Sequence, residues 1–263
     1  MKKLNYFVID AFTDVLFKGN PAGVCLPEDD LPDIVMQNIA AENNLSETAF
    51  AVKHDGYYDL RWFTPKVEID LCGHATLGCA FVIMNFVDTT ANDACFETKS
   101  GTLTVKKTDD LYELDFPARK AYQIAVTKEM EQAIGAVVLD AYMSNNSRDL
   151  ILLLENEQQI QNVAIDFDVL KTLSSHAVTI TAKGDSVDFA SRFFAPNMGI
   201  PEDPVTGSAH TGLIPFWSKR LNKDKMTARQ LSNRGGTLYC ENCGDRVKIA
   251  GKAALYLSGT IEL

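Results

Sequence analysis

The sequence lacks any apolar run long enough to span a bilayer, which takes about 20 residues of helix. The most apolar segment, residues 73–87, has only 15 residues. The apolar start of the chain is interrupted by Asp10, too early for the core of a signal peptide. We therefore expect a cytoplasmic protein whose first residues form a strand.

Positive charge is also in short supply. The 263 residues include 25 lysines and arginines against 35 aspartates and glutamates, which gives a net charge of -10. A surface of this sign repels phosphate backbones and anionic membranes. We expect no nucleic-acid and no membrane partner, and a small molecule as substrate.

Signatures of the common cofactors are missing as well. No G-x-G-x-x-G follows a predicted strand, and the chain contains neither a Walker loop nor an H-E-x-x-H run. The one C-x-x-C pair, Cys240 and Cys243, has no second pair to complete a zinc site and lies in a predicted hairpin turn. The sequence thus predicts no cofactor and no metal, and reduced thiols throughout.

What is present is a pattern of short strands with a few helices between them. Residues 19–23 predict a turn, and Leu31–Ala41 predicts a helix with Asp29 and Asp30 as possible caps. Strands are predicted at Leu4–Phe12, Thr48–Lys53, Tyr57–Phe63, Glu68–Leu71, Cys95–Glu97, Thr102–Lys107 and Tyr112–Phe116.

Two segments, residues 73–87 and 207–220, are apolar on nearly every side and predict buried helices. The loops before them match, because residues 70–75 (DLCGHA) correspond to residues 203–209 (DPVTGSA) with one insertion. We interpret the chain as two similar halves joined near Pro117, each a sheet wrapped around one helix.

Each helix start would offer unpaired backbone N–H groups and the positive end of the helix dipole. Gly73 and Gly207 would let a ligand approach these groups closely. Two such ends facing each other across a cleft would hold a carboxylate or stabilise an enolate. The alternative, that Asp70 and Asp203 merely cap their helices, stays open.

Cys72 and His74 lie at the first helix start. The dipole there favours a neutral His74 and predicts a lowered pKa for the Cys72 thiol, which could then serve as a base. A racemase with two thiol bases would need a second cysteine at the equivalent position, where Thr206 stands. The sequence therefore excludes the two-thiol mechanism.

The remaining candidate is Glu47, where residues 42–50 pass from a helix end into a strand. Its neighbours Thr48, Ala49 and Phe50 predict partial burial, which favours the protonated form and suits a general acid/base. An ordinary glutamate at a strand edge is the alternative.

Together these motifs resemble the phenazine-biosynthesis PhzF-like family. The matching blocks follow one another from residue 10 to about residue 217, and residues 120–185 take no part in the resemblance. The blocks are Asp10–Thr13, Phe17–Val24, Glu42–Phe50, Leu60–Pro65, Asp70–Leu77, Phe193–Pro196 and Gly199–His210.

The resemblance implies an α+β fold of the diaminopimelate-epimerase-like type, with two pseudo-symmetric halves, each a mixed sheet or barrel around a central helix. The halves are predicted as residues 1–117, with helix 73–87, and residues 118–263, with helix 207–220. The C-terminal strand, Ala253–Leu263, is expected to belong partly to the first half. Homodimers are usual in this family.

The resemblance also implies a cofactor-independent isomerase in which a glutamate, by match Glu47, moves a proton between carbons of a cyclic hydroxy-amino acid. It gives catalytic positions to His74 and Asp203, and substrate-binding positions to Gly73, Gly207, Ser208, Cys72 and Thr206. A phenazine substrate does not follow, because the Cys72-containing loop is typical of members whose reaction is unassigned. Two alternatives remain: an epimerase or racemase that uses Cys72, and a non-catalytic protein that binds a small molecule or regulates.

Overall fold

The computed structural model describes residues 3–144, 149–173 and 176–263. The strands are β1 (Lys3–Ala11), β2 (Asn20–Leu26), β3 (Glu47–Lys53), β4 (Tyr58–Phe63), β5 (Glu68–Ile69), β6 (Asp93–Glu97), β7 (Leu103–Thr108), β8 (Leu111–Pro117), β9 (Ala121–Ile124), β10 (Asp140–Ser144), β11 (Asp149–Leu153), β12 (Ala177–Lys183), β13 (Phe189–Ala195), β14 (Ile200–Asp203), β15 (Lys225–Gln230), β16 (Gly236–Asn242), β17 (Arg246–Gly251) and β18 (Ala253–Glu262). The α-helices are α1 (Asp33–Asn43), α2 (Gly73–Val82), α3 (Lys128–Ile134), α4 (Glu157–Asn162), α5 (Phe167–Thr172) and α6 (Gly207–Leu221). A π-helical turn, Ile83–Val87, continues α2, and a 3₁₀ turn, Pro196–Met198, precedes β14.

The chain divides into two compact units, Met1–Asp115 with Ala250–Leu263, and Phe116–Ile249. The sequence prediction assigned residues 118–263 to the second half, with the last strand crossing back in part. The structure places residues 250–263 in the first unit, because β18 pairs antiparallel with β1 along its length, from Ala253 opposite Ala11 to Glu262 opposite Lys3.

In the first unit the strands lie in the order β18-β1-β2-β3-β4-β6-β7-β8. The β2–β3 and β4–β6 pairs are parallel, the others are antiparallel, and β5 adds a short antiparallel pair to β4. Helix α2 contacts β1, β2, β3, β7 and β18. Because these strands span the sheet, the sheet curves around α2, as predicted.

The second unit repeats this succession. Its strands lie in the order β9-β10-β11-β12-β13-β15-β16, with parallel β11–β12 and β13–β15 pairs. The short β14 pairs with β13 and leads into α6, just as β5 pairs with β4 and leads into α2. The likeness between the two loops therefore extends to the order of the strands and to the place of the central helix.

Both central helices are deeply buried. Most residues of α2 are inaccessible to solvent, and a methyl group added at Gly78 would lie 3.4 Å from the Cβ of Ile9 in β1. The predicted helix 73–87 is α-helical only to Val82, and its end is exposed at Phe86 and Val87. There the side-chain Nδ2 of Asn85, in the π-helical turn, donates to the Phe81 carbonyl of α2 at 2.6 Å. Helix α6 matches its predicted range to within one residue.

Two local predictions were wrong. Residues 20–26 form β2 rather than a turn, because the turn lies earlier, where Phe12, Phe17 and Gly19 have positive φ angles and the Phe17 amide donates to the Asp10 carboxylate at 2.8 Å. Helix α1 begins at Asp33 and its N-cap is Pro32, so neither Asp29 nor Asp30 occupies the predicted cap position.

No helix in the described part of the chain combines the length and hydropathy that a membrane span requires.

Candidate active site

Glu47 owes its position to the end of α1. Asn44 caps this helix in the left-handed conformation, at φ 51°, and its amide donates to the Ala40 carbonyl at 3.1 Å. The chain then turns and enters β3 at Glu47, which is only 8% exposed. The predicted passage from helix end to strand and the predicted burial of Glu47 are both confirmed.

Glu47 lies in a buried cluster of polar side chains around His74. The His74 Nε2 atom lies 3.2 Å from Glu47 Oε2. On the other side of the ring, Nδ1 lies 3.5 Å from Cys72 Sγ and 3.4 Å from Nδ2 of Asn20. All four residues are buried. One imidazole thus joins a carboxylate to a thiol and an amide.

The contact between His74 and Glu47 is an ion pair without hydrogen-bond alignment. Although the two atoms are close, neither Glu47 Oε2 nor His74 Nε2 has a hydrogen-bond partner among the described residues. A buried carboxylate oxygen without such a partner is costly and calls for an explanation. Proton exchange with a bound substrate would supply one.

The environment of His74 favours its charged form. Burial by itself lowers the pKa of an imidazole, but the Cys72 sulfur and the Glu47 carboxylate outweigh it and raise the pKa of His74 well above its ordinary value. The sequence argument predicted a neutral His74 from the helix dipole alone, and it was wrong because it did not include these neighbours.

The environment of Cys72 disfavours its charged form, the thiolate that could act as a base. Cys72 is the N-cap of α2, yet burial raises its pKa, and the opposing effect of His74 does not reverse this. The predicted lowering was wrong because desolvation disfavours a thiolate more than the helix end favours it. Cys72 is therefore a poor base in this state.

The same three side chains could hold a metal ion. One donor atom from each of Glu47, Cys72 and His74 lies within 4.8 Å of the others. Thiol, imidazole and carboxylate are all zinc ligands, and three protein donors would leave a fourth position for water or a substrate. The sequence predicted no metal, so this arrangement requires an experiment.

The corresponding loop of the second unit is built around a hydroxyl group. Thr206 precedes α6 as Cys72 precedes α2, and neither N-cap side chain bonds to its helix. The Thr206 hydroxyl donates a short hydrogen bond to Asp203 Oδ2. Gly207 is buried at the first position of α6, whereas Ser208 is exposed.

Each unit gathers its own predicted site residues. The first unit brings together Glu47, Cys72, Gly73 and His74, and the second brings together Asp203, Thr206, Gly207 and Ser208. The catalytic and binding roles assigned to them stay predictions.

Sequence reasoning missed two residues next to these clusters. Asn20 belongs to a matched motif in a segment for which the sequence predicts a turn, and it lies against His74. Gln230 lies 24 residues after Thr206 and bonds to it, a pairing that only the β15 strand position reveals.

The C-x-x-C pair does not form a site in this structure. Cys240 is buried within β16, whereas Cys243 is exposed in the following hairpin turn, where its amide donates to the Arg246 carbonyl at 2.9 Å. Neither cysteine forms a disulfide among the described residues.

The profile of the family described as "Phenazine biosynthesis-like protein" matches residues 9–259. The chain belongs to this family. An uncharacterized isomerase from Pseudomonas aeruginosa is 46% identical over 261 residues, which is 99% of this chain and 100% of that protein. The human phenazine biosynthesis-like domain-containing protein is 39% identical, with 98% of this chain and 99% of that protein covered.

A solved PhzF-family structure from Enterococcus faecalis superposes with a TM-score of 0.97 at 48% identity, over 100% of both chains. A hydroxyproline epimerase from Agrobacterium vitis has a TM-score of 0.62 at 10% identity, over 99% of this chain and 91% of that one. The second likeness concerns the fold alone. This PhzF-family protein therefore has the epimerase-like fold that the resemblance implied.

Proposed function

We propose that this PhzF-family protein is an isomerase in which Glu47 moves a proton on a small carboxylate-bearing substrate. The observation that carries the proposal is the buried Oε2 of Glu47, which lies 3.2 Å from His74 but has no aligned hydrogen bond among the described residues. The family membership and the name of the Pseudomonas relative support the same class of reaction.

The proton path follows from these groups. His74, whose pKa is raised, lies 3.2 Å from the Glu47 carboxylate, which serves as the proton acceptor. Glu47 removes a proton from a carbon beside an electron-withdrawing group and returns it to another carbon of the resulting delocalised anion, so the reaction is an internal shift. When the proton on Glu47 exchanges with solvent between the two steps, deuterium from D2O enters the substrate.

Negative charge develops on the substrate when the carbon loses its proton. The first turn of α2 offers backbone N–H groups at Gly73 and the positive end of a dipole, which can stabilise a carboxylate or an enolate. The resemblance assigns supporting roles to Asp203 and Ser208, and the single variants Asp203→Asn and Ser208→Ala test them.

Incorporation of deuterium from D2O, followed by NMR, tests the proposal with a panel of small cyclic and acyclic hydroxy- and amino-acids. Glu47→Gln keeps the shape of the side chain and removes its acid/base capacity, so exchange should stop. Glu42→Gln is the matched control, because Glu42 is an exposed glutamate of α1 five residues away. Normal exchange in the Glu47 variant would contradict the mechanism.

We propose that the reaction needs no cofactor, since a carboxylate can move a proton without one. Treatment with a strong chelator, followed by metal analysis, should leave the exchange rate unchanged. A loss of activity that zinc restores would contradict this part of the proposal. It would assign a metal to the cluster of Glu47, Cys72 and His74.

A second candidate is an epimerase or racemase that uses Cys72, favoured by the 3.5 Å contact of its thiol with His74. The raised pKa of Cys72 and the threonine at the equivalent Thr206 position argue against it. Cys72→Ser should retain at least about a tenth of the exchange rate if Glu47 is the base, and should lose nearly all of it if Cys72 is. Stoichiometric ligand binding without exchange would instead favour a non-catalytic protein.

A further inference from the structure

Gln230, the last residue of β15, is 1% exposed and bonds to the loop before α6 through both ends of its amide. Its Oε1 accepts from the Thr206 backbone N–H at 2.9 Å. Its Nε2 donates to the Asp203 carbonyl at 2.7 Å and to the Thr206 hydroxyl oxygen at 3.1 Å.

These bonds fix the direction in which the Thr206 hydroxyl donates. Because Gln230 Nε2 can only donate, the Thr206 oxygen accepts that bond. The single hydroxyl proton then points to Asp203 Oδ2, which accepts it in a short hydrogen bond. The chain of donors runs from Gln230 through Thr206 and ends on the carboxylate of Asp203.

An amide is the neutral side chain that meets all of these requirements. The site needs an acceptor for the Thr206 N–H, and a donor for both the Asp203 carbonyl and the Thr206 hydroxyl. The neighbouring Ser232 adds a further hydrogen bond to the loop before α6, since its hydroxyl donates to the Pro204 carbonyl at 2.8 Å. Of the four residues 203–206 that lead into α6, three (Asp203, Pro204 and Thr206) thus accept hydrogen bonds from Gln230 or Ser232 or donate them to Gln230.

We propose that Gln230 is a positioning residue that holds the Asp203 carboxylate in one orientation through Thr206. The inference rests on the proposed function only for the role of Asp203 in the reaction. The orientation itself is independent of that role. If Gln230 had only a structural role, replacing it would lower the stability of the fold and leave the Asp203 side chain where it is.

Gln230→Glu tests the donor end while it keeps the shape of the side chain. The carboxylate can still accept from the Thr206 N–H, but it cannot donate to the Asp203 carbonyl, and it competes with Asp203 for the Thr206 hydroxyl proton. Thr206→Val removes the hydroxyl that links Gln230 to Asp203. It therefore tests the same hydrogen bonds if Gln230→Glu does not fold. Gln158→Glu, at an exposed position of α4, is the matched control.

Crystal structures of these variants and of Thr206→Ser give a readout that does not depend on any substrate. We expect the Asp203 carboxylate to leave its position in Gln230→Glu and Thr206→Val, and to keep it in Thr206→Ser and Gln158→Glu. An unchanged Asp203 in both of the first two variants would overturn the proposal, whatever the enzyme's activity.

The kinetic readout uses the deuterium-exchange assay with the most active acid of the panel. Gln230→Glu should lower kcat at least tenfold, with a smaller change in KM, while Gln158→Glu stays within about twofold of the wild type. A lower melting temperature with unchanged kcat would assign Gln230 a structural role only. If the panel shows no exchange in the wild type, the proposed function fails and the crystal structures still decide the positioning.

Discussion

At the scale of single residues, two buried histidines near the starts of the central helices have pKa values displaced in opposite directions. His74 lies against Cys72 and Glu47, which together raise its pKa. Burial is the largest influence on His210 in α6 and lowers its pKa from 6.5 to about 4, although its Nδ1–H donates to the Thr206 carbonyl at 2.8 Å. The difference follows from the side chains that face each ring, since both rings are buried.

The lowered pKa of His210 predicts an acid-sensitive fold. The unfolded chain binds a proton at this residue below about pH 6.5, whereas the folded chain binds it only near pH 4. The free energy of unfolding should therefore fall as the pH drops from 6.5 towards 4, by roughly 3 kcal/mol at about 1.4 kcal/mol per unit. Urea unfolding at several pH values in this range measures the slope.

His210→Gln removes the titrating group but keeps a donor for the Thr206 carbonyl, so this part of the slope should disappear. His54→Gln, a partly exposed histidine paired with Asp59, is the control and should keep it. Hydrogen bonds from Arg61 lower the pKa of Glu68 to about 2. Such carboxylates change the free energy of unfolding only below about pH 4.5. Equal slopes in the wild type and His210→Gln would refute this explanation.

At the scale of elements, glycines set how closely the central helix and the strands approach. A Cβ atom at Gly23 in β2 would lie 2.8 Å from Thr48 Oγ1 and 2.9 Å from the Tyr6 hydroxyl, both of them buried. At Gly78 in α2 the nearest atom would be 3.4 Å away, at ordinary contact distance. The two positions therefore differ in how they accept a methyl group.

Gly23→Ala should lower the free energy of unfolding by about 1–3 kcal/mol, because the strand pair cannot move apart without cost. Gly78→Ala should change it by less than about 1 kcal/mol, since gained helix propensity offsets the tighter contact. Urea denaturation of both variants measures the difference. A Gly23→Ala variant as stable as Gly78→Ala would show that β2 and β3 can separate freely.

The central helices could be predicted from sequence because their composition is extreme, with apolar residues on every side. The turn at residues 19–23 could not, since Gly-Asn-Pro favours turns locally while pairing with β1 and β3 makes residues 20–26 a strand. The burial of Glu47 was predictable from its apolar neighbours. The contact of Glu47 with His74, and the hydrogen bonds of Gln230 to Thr206, depend on pairings between distant segments that one sequence does not reveal.

At the scale of the whole molecule, the repeated strand order and central helix explain why Cys72, Gly73 and His74 have counterparts in Thr206, Gly207 and Ser208. Each unit places a loop with an N-cap Cys72 or Thr206 before a buried helix. The differences between the loops are chemical: a thiol beside an imidazole in one, and a hydroxyl bonded to a carboxylate in the other. The matched loops thus carry different side-chain chemistry on one framework.

The homodimer that the resemblance implies stays a prediction for the whole molecule. Sedimentation equilibrium should give twice the 29.0 kDa of one chain. A single 29.0 kDa species at micromolar concentration would contradict it. The same sample, with its net charge of -10, should show no binding to duplex DNA or to anionic vesicles.

The central claim is that Glu47 transfers a proton, and its most direct test is deuterium uptake from D2O by wild type, Glu47→Gln and Glu42→Gln side by side. The account predicts uptake into at least one acid of the panel for wild type and Glu42→Gln. For a folded Glu47→Gln it predicts a rate lower by at least about a hundredfold, within the range typical of lost acid/base catalysis. Uptake by Glu47→Gln at the wild-type rate would contradict it.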